Sequence, residues 1–310
     1  NPGDYIDAEC TQIDLSGSNF VPTITAPLGD IRIDNQTNYR NKRSNIWYIN
    51  QNYGIDFNSE TPHLLRDPNP KFKVNEGPGS ICDENGNLLF YTDGMRIWDK
   101  TNTPMPNANG TNYPADWNHM LSGGFSAAQS AIITPVVGQK NRFYVFTTDG
   151  ASTPGFGPKN KWDGLYYTIV DMNLNNGFGD IDTASIRLIG GFTGPSRNKI
   201  ALIDSISEKI TAVIHNNKID YWIVSQRYPD NDFYAFLVCA DGVNTTPVIS
   251  AFPGINTGGV CQLKASNDGR MLLNAGENYN AEVYDFNNGF GPIANHGKLS
   301  NRFALGAVGY

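Results

Sequence analysis

The sequence predicts an all-β fold, a β-propeller of four-stranded blades, from three observations. Residues 79–99 read as three short strands joined by tight turns, since Asn85-Gly86 and Asp93-Gly94 supply the positive φ that hairpins need. The middle strand, 88–92, is apolar or aromatic at nearly every position, which is typical of a strand covered on both faces. Similar units recur along the chain at a spacing of about 50 residues, which is typical of propeller blades.

The repeats predict where each unit begins. First strands are predicted near Gly79, Ala128, Lys209 and Val260, and again near Gly306. The motif Asn-Asn-Gly-Phe-Gly occurs at 175–179 and at 287–291, each time after a predicted third strand that carries an aspartate. About five blades and the start of another are visible, so we expect six or seven blades in the complete propeller.

The remaining elements follow in chain order. Residues 1–44 are predicted to be irregular, with candidate strands at 11–15 and 19–24 and an alternating pattern at 31–33. The propeller is predicted to occupy 45–310 and to be incomplete at its C-terminal end. The unit at 128–188 carries an insertion at 151–163 and a predicted fourth strand at 184–189. The chain is thus expected to be part of a longer protein or a trimmed product, or residues 1–44 help to close the ring.

Composition limits the function classes. The 310-residue chain has a net charge of −7 and a pI of about 5.1, which argues against nucleic acid as the main partner. The sequence contains no apolar stretch of the length that a transmembrane helix needs. The first ten residues have neither a charged n-region nor an apolar h-region, so the chain is cytosolic or a signal peptide has been removed. Asn1 in place of Met favours the second alternative.

The four cysteines leave two alternatives open. Neighbouring units carry Cys239 and Cys261, which makes that pair the first candidate disulfide and Cys10–Cys82 the second. The other alternative is four buried thiols. The cysteines form no CxxC or Cys/His cluster, so a zinc site is not expected.

The sequence predicts no catalytic residues. The chain has no GxSxG, HExxH or glycine-rich phosphate loop beside its histidines. Asp93, Asp149 and Asp241 each precede a glycine at the end of a predicted strand. An Asp-Gly pair at such a position typically forms a turn. At equivalent positions in successive blades, these aspartates would form a ring of carboxylates at one rim, which is an effect of the repeat and not evidence of catalysis.

Calcium is the one cofactor for which the sequence offers ligands. Two loops cluster the hard oxygen donors that Ca²⁺ prefers. The donors are Asp83, Asn85 and Asn87 in the first loop and Asp230 and Asp232 in the second. Neither loop completes a twelve-residue EF-hand, and ordinary Asx turns are the favoured explanation of both.

Aromatic residues in two long polar insertions are the best signal of function. Trp117 and Trp162 lie in these insertions, with Tyr113, His119 and Phe156 nearby. Exposed aromatic side chains on loops above a rigid scaffold are typical of recognition surfaces. Such rings also suit sugars, whose apolar faces stack on them. The alternative is that these side chains fold back over the propeller face.

An ordered series of motifs resembles a known family. The series runs WYIxQNYGIDFN (47–58), NEG (75–77), NGNLLFYTDG (85–94), WDK (98–100), MPN (105–107), QSAII (129–133), GLYYTIVDMNL (164–174), SEKITAVIH (207–215), DYWIV (220–224) and LKASNDG (263–269). It resembles the N-terminal β-propeller region of large surface proteins of Bacteroidetes, which the type IX secretion system exports and which are associated with gliding motility or adhesion. The resemblance covers about 45–310 and implies a cleaved signal peptide and an extracellular location.

The resemblance gives no catalytic residues, but it does suggest a modification. Asp182-Thr183-Ala184 and Asp204-Ser205-Ile206 resemble the short O-glycosylation sequence of these bacteria, with Thr183 and Ser205 as acceptors. The function predicted is a non-catalytic binding or scaffold domain whose partner is an extracellular glycan, a protein surface or another subunit of a secretion or motility assembly. The alternatives are a glycan-active propeller enzyme and a structural subunit of a surface filament.

Overall fold

The computed structural model describes residues 42–50, 53–66, 72, 74, 76–110, 120–124, 127–148, 164–190, 198–228, 230–252, 259–276 and 281–299. Twenty strands and one α-helix are found in this part of the chain. The strands are β1 Ile46–Asn50, β2 Tyr53–Asp56, β3 His63–Arg66, β4 Gly79–Cys82, β5 Leu88–Thr92, β6 Ile97–Asp99, β7 Ala131–Val136, β8 Gln139–Thr148, β9 Leu165–Asp171, β10 Asp180–Ile181, β11 Ile200–Ile203, β12 Ile206–Ile214, β13 Tyr221–Arg227, β14 Phe233–Cys239, β15 Gly242–Val243, β16 Val248–Ser250, β17 Leu263–Ala265, β18 Met271–Ala275, β19 Ala281–Phe286 and β20 Ile293–Leu299. The predicted meander at 79–99 is confirmed as β4–β6.

These strands form five antiparallel sheets, each built from neighbours in sequence. Sheet A contains β1–β3, sheet B contains β4–β6, and sheet E contains β17–β20. Sheet C contains β7–β10, with β11 also paired to β9, and sheet D contains β12–β15, with β16 also paired to β14. Consecutive pairing with short turns is what the hairpin signals in the sequence predict. The all-β prediction is therefore confirmed.

The first strands of sheets B to E gather in parallel around one axis. Gly79 at the start of β4 lies against Ala131 at the start of β7. Glu208 in β12 joins the next two junctions: its carboxylate accepts the Ala128 N–H at 2.8 Å, and its own N–H donates to the Gly259 carbonyl at 2.9 Å. Meanders of three or four strands whose first strands line a common axis are blades, so the fold is a β-propeller.

Two faces of the ring follow from this arrangement. We call upper the face where β4, β7, β12 and β17 begin, and lower the face where they end. Turns that join second to third strands lie at the upper face. Turns that join first to second strands and third to fourth strands lie at the lower face, because successive strands in each sheet are antiparallel.

The core consists of layers between neighbouring sheets. Side chains alternate along β13, so Tyr221 and Ile223 pack into the core shared by sheets B, C and D, whereas Trp222 and Val224 pack into the core shared with sheet E. A strand with both faces in a core needs a continuous apolar sequence. The uninterrupted apolar runs of the middle strands are thus explained by blade-on-blade packing.

Sheet A packs on sheet B, but its first strand, β1, runs antiparallel to β4. The Ser80 hydroxyl donates to the Ile46 carbonyl at 2.6 Å. The backbone at Asn45 and Ile46 also lies against Cys82, so the start of β1 lies beside the end of β4. Asn58, just past β2, donates to the Gly86 carbonyl in the β4–β5 turn at 2.9 Å. Closer to the upper face, the Tyr48 and Tyr91 rings stack with their centroids 4.1 Å apart. β1 therefore ascends toward the upper face, whereas β4, β7, β12 and β17 descend.

The predicted fourth strand at 184–189 is wrong, because these residues lie in helix α1, Thr183–Gly190. Asp182 caps this helix: its carboxylate accepts the Ser185 N–H at 2.9 Å and pairs with Arg142. The capping carboxylate of Asp182 and its ion pair with Arg142 stabilise a helix here instead of a strand. The fourth strand of sheet C is instead β10, which pairs with β9.

The repeated Asn-Asn-Gly-Phe-Gly turns fasten each sheet to the one before it. In sheet E, the Asn288 side chain donates to the carbonyls of Ile214 and Asp268 at 3.2 and 3.3 Å. The Trp222 indole donates to the Asn288 carbonyl at 2.9 Å. In sheet C, Gly179 of the equivalent turn lies against Met105 of sheet B. The repeated motif thus has a packing role at the lower face.

Candidate functional site

The two insertions predicted to carry the recognition residues start from adjacent points on the upper face. Residues 120–124 follow the first insertion, and Thr148, the last residue of β8, precedes the second. The Gly124 N–H donates to the Thr148 carbonyl at 3.2 Å. The Thr148 N–H in turn donates to the Ser130 carbonyl at 3.1 Å. One hydrogen-bonded junction therefore holds the root of both insertions.

Segment 120–124 is fixed to the β5–β6 turn along its length. The Gly123 N–H donates to the Gly94 carbonyl at 2.9 Å, and the Leu121 N–H donates to the Met95 carbonyl at 2.8 Å. The buried ammonium of Lys199 donates to the Met120 carbonyl at 2.5 Å. Gly123 and Gly94 approach so closely that a Cβ on Gly123 would lie 2.4 Å from the Gly94 oxygen. The base of the first insertion is thus rigid.

Asp93 is the buried acid beneath this junction. Its Oδ1 accepts the N–H groups of Met95 and Arg96 at 2.9 and 2.7 Å, which forms the Asp-Gly turn that the sequence predicts. Its Oδ2 is buried with no hydrogen-bond partner, and so is the Oγ of Ser122. Burial raises the pKa of the Asp93 carboxyl to about 6, although the Arg96 guanidinium opposes the shift.

This pKa makes stability depend on pH in a predictable direction. An unfolded aspartate has a pKa of about 3.9, so between about pH 4 and pH 6 the unfolded chain releases the proton first. The contribution of Asp93 to stability is therefore largest at low pH and is lost as the pH rises through this range. As the pH rises from 4 to 7, we expect the unfolding free energy of Asp93→Asn to increase by about 2 kcal/mol relative to that of the wild type.

Urea unfolding at several pH values measures this gain. Asp268→Asn is the control: a hydrogen bond from Ser266 lowers the pKa of that carboxyl, so its neutralisation should shift the difference in the opposite direction. A constant difference between Asp93→Asn and the wild type from pH 4 to pH 7 would contradict the assignment.

Gln129 connects three sheets at the axis. Its Oε1 accepts the N–H groups of Leu263 and Ile210 at 2.7 and 3.2 Å, and its Nε2 donates to the Leu263 carbonyl at 3.1 Å. Gln129 precedes β7, Ile210 lies in β12, and Leu263 begins β17. One amide side chain thus replaces the missing backbone pairing between strands of three different sheets.

The carboxylates of two buried glutamates accept hydrogen bonds from other residues of the fold. Glu208 contacts Ala128 as described, and the Glu282 carboxylate accepts the hydroxyl proton of Tyr284. Lys209 is fully buried, and its ammonium lies 3.5 Å from the Gln226 amide oxygen. Burial raises the pKa of the Asp93 carboxyl, whereas a hydrogen bond from Ser266 lowers the pKa of the Asp268 carboxyl.

The predicted ring of aspartates is wrong at one position. Asp93 follows a second strand, β5, and lies at the upper face, but Asp241 follows the third strand of its sheet, β14, and lies at the lower face. Asp241 is exposed, whereas Asp93 is buried. Asp149 lies outside the described residues. The Asp-Gly signal locates turns correctly but does not distinguish a second strand from a third.

The five predicted ligand-binding aromatic and histidine residues, Trp117, His119, Trp162, Tyr113 and Phe156, lie outside the described residues. The structure brings together the roots of their two insertions, and the role of the side chains stays a prediction.

The predicted Cys239–Cys261 disulfide is wrong. Both residues are thiols, and so is Cys82. Cys239 ends β14 at the lower face, whereas Cys261 precedes β17 at the upper face, so the two Cα atoms are separated by the height of a sheet and lie beyond disulfide reach. Cys82 is buried against the backbone of Ile46, and burial raises the pKa of its thiol to about 11. Its suggested partner, Cys10, lies outside the described residues.

The two predicted calcium loops have internal partners. Asp83 Oδ1 accepts the N–H groups of Asn85 and Asn87 at 2.8 and 2.9 Å, and hydrogen bonds of this turn lower the pKa of the Asp83 carboxyl although burial opposes them. Asp230 pairs with Arg227 at 3.4 Å, and Asp232 accepts the Phe252 N–H at 3.3 Å. The described residues contain no group of three or more His, Cys, Asp or Glu side chains able to hold a metal. A calcium site stays a prediction.

The two O-glycosylation candidates lie at element boundaries. Thr183 is the first residue of α1, and Ser205 has a φ of 55° in the turn between β11 and β12. Both side chains are half-buried. Their modification stays a prediction.

Sequence reasoning missed Gln129 and the Gly123–Gly94 contact. The available signals were Gly123-Gly124 at the end of a long insertion and the polar Gln129-Ser130 pair in front of an apolar strand. Paired glycines in a loop indicate close backbone approach, but the partner backbone is distant in sequence and cannot be identified from the pattern.

The fold and this upper-face junction define a β-propeller domain. No family model matches the sequence, and no curated protein matches it. Among solved structures, the chain is similar to the β-propeller domain of Myceliophteria thermophila Cps50 (Swd1), with 8% identity, 79% of this chain and 66% of that chain covered, and a TM-score of 0.33. It is also similar to the Dos1 propeller, with 13% identity, 80% and 67% covered, and a TM-score of 0.28. The chain spans about two thirds of the length of these two chains. No described helix could cross a bilayer.

Proposed function

We propose that this chain is a non-catalytic binding domain that recognises an extracellular glycan through its upper face. The Gly124–Thr148 hydrogen bond carries the proposal, because it joins the roots of the two aromatic insertions. Binding residues are often found on loops that a rigid scaffold positions. We propose that the tryptophans of these two insertions, Trp117 and Trp162, stack on sugar rings of the glycan.

Binding fits the described residues better than catalysis does. An enzyme needs two or more titratable groups that converge on one pocket. Glu208, Glu282 and Asp180 are instead hydrogen-bonded to Ala128, Tyr284 and Asn107 within the fold. Asp93 has the raised pKa of a general acid, but no second described carboxyl shares its environment.

The biological setting that we propose follows from the motif series at 47–269. We infer a secreted surface protein of Bacteroidetes, exported by type IX secretion and acting in adhesion or gliding. The net charge of −7 is compatible with a soluble extracellular domain. A signal peptide removed before position 1 and a type IX sorting domain encoded in the complete gene would support this setting.

A glycan array followed by calorimetry tests the binding function. Trp117→Ala combined with Trp162→Ala should weaken binding of the selected glycan about tenfold or more, since aromatic anchors dominate such interfaces. Phe290→Ala is the matched control, because Phe290 is an aromatic residue exposed at 76% on the lower face. Equal affinity of the double variant and the wild type, or loss of binding in Phe290→Ala, would refute the upper-face assignment.

A further inference from the structure

The two copies of Asn-Asn-Gly-Phe-Gly have the same sequence but different conformations. In sheet C, Asn175, Asn176 and Gly177 all have positive φ, at 51°, 55° and 86°. In sheet E, neither Asn287 nor Asn288 has a positive φ. A positive φ is uncommon for residues other than glycine, although asparagine adopts it more readily than most. Because the two copies are identical, the packing around each turn, and not its sequence, determines the conformation.

The middle asparagine of the copy in sheet E is held by the fold. Asn288 is buried, and its side-chain amide donates to the carbonyls of Ile214 and Asp268 at 3.2 and 3.3 Å. Its own backbone carbonyl accepts the Trp222 indole N–H at 2.9 Å. Hydrogen bonds to other segments therefore restrain both the side chain and the backbone of Asn288.

The middle asparagine of the copy in sheet C has no such restraint on its side chain. There, the contact with sheet B comes from the end of the motif, since a Cβ on Gly179 would lie 3.0 Å from the Met105 side chain. The Asn176 side chain is exposed and makes no hydrogen bond with the described residues. It can therefore rotate against the backbone of Gly177.

We propose that Asn176 is a site of spontaneous deamidation, and that the identical pair Asn288-Gly289 is protected from it. The backbone nitrogen of Gly177 attacks the side-chain carbonyl carbon of Asn176, and the new C–N bond closes a five-membered imide. The side-chain nitrogen leaves as ammonia and takes up the proton that the attacking N–H loses. Water then opens the imide at either carbonyl, which yields aspartate or isoaspartate without an oxidant, a reductant or an enzyme.

The surroundings of Gly177 favour the reaction. The attacking residue has no Cβ to obstruct the approach, and a Cβ built there would meet no atom within 4 Å, so the space beside it is open. The N–H of the glycine is hydrogen-bonded in both copies, to the Leu174 carbonyl at 3.0 Å in sheet C and to the Asn287 side chain at 3.1 Å in sheet E. Because both turns share this restraint, the side chain of the middle asparagine makes the difference.

Peptide mapping of the full chain after incubation in mildly alkaline buffer tests the proposal. In the native protein, aspartate and isoaspartate should form at Asn176 at least about tenfold faster than at Asn288, because reaction at Asn288 must first break two side-chain hydrogen bonds. In urea, the two sites should react at similar rates, since the motif is the same. Asn176→Gln is the control and should remove the products at this position only.

The charge that deamidation introduces should be tolerated at only one of the two turns. Asn176→Asp should leave Tm within about 1 °C of the wild type, because the new carboxylate is exposed. Asn288→Asp should lower Tm by about 5 °C or more, because an acceptor would replace the donor that faces the carbonyl oxygens of Ile214 and Asp268.

Three results would overturn the proposal. The first is modification of Asn176 and Asn288 at equal rates in the native chain. The second is a difference in urea as large as that in the native chain, which would assign it to sequence and not to the fold. The third is an Asn176 that reacts in urea but stays unmodified in the native chain.

Discussion

Gly123→Ala is expected to be the most damaging single substitution at the upper face, with a loss of about 3 kcal/mol or more of unfolding free energy. The added Cβ would lie 2.4 Å from the Gly94 carbonyl oxygen and 2.7 Å from the Gly94 Cα. Both are backbone atoms that hold the Asp93 turn, so no side-chain rotation relieves the overlap. The Gly123–Gly94 hydrogen bond would break, and segment 120–124 would move away from β5 and β6.

Chemical denaturation of the wild type and two alanine variants measures the effect. Gly138→Ala is the control, because Gly138 lies in a hairpin turn with φ of 74° and a Cβ there meets no atom within 4 Å. In this control, the unfolding free energy falls only by what it costs to place an alanine at positive φ, about 1 kcal/mol. If Gly123→Ala costs no more than Gly138→Ala, the close contact beneath the first insertion does not exist.

Gln129→Leu is expected to cost about 2–4 kcal/mol of unfolding free energy, although leucine is close to glutamine in volume. The substitution removes three hydrogen bonds and leaves the N–H groups of Ile210 and Leu263 without their acceptor. Unpaired buried amides cost far more than an exposed hydrogen bond contributes. Because these amides belong to sheets D and E, we also expect faster hydrogen exchange in the middle of β12 and at the start of β17.

Gln139→Leu provides the matched control. Gln139 is exposed, and its Oε1 accepts a single hydrogen bond from Arg142 at 2.8 Å. Its replacement should change stability by less than about 0.5 kcal/mol, as is usual for exposed positions. Similar losses in the two variants would mean that Gln129 does not connect the sheets.

The strand content of the fold could be predicted because it depends on local sequence. The apolar run Leu88–Thr92 and the Asn-Gly and Asp-Gly turns determine hairpins within a few residues of one another. The helix at Thr183–Gly190 was missed, since Ile186, Leu188 and Ile189 fit a strand as well as a short helix. The capping contacts of Asp182 with Ser185 and Arg142, which favour the helix, include a partner 40 residues away.

The site was predictable only in part. Loop aromatics and turn aspartates are visible in the sequence, so the turn at Asp93 could be predicted, but the sequence does not mark Asp93 as a site residue. Ser130 and Gly123, which contact the Asp93-Gly94 turn, come from other segments, and no local pattern contains that information. The same holds for Cys239 and Cys261, whose neighbouring units suggested a bond although the strand directions place them at opposite faces.

The alternation along β13, which sends Tyr221 and Trp222 into different cores, has a mechanical consequence. If a chain of this kind were pulled from its two ends, the outer sheets A and E would detach first, since each shares a core with only one described neighbour. Sheets B and D would resist longer, because each has side chains in two cores. Such a domain would lengthen in steps of one sheet and would absorb work at each step, as stacked repeat proteins do.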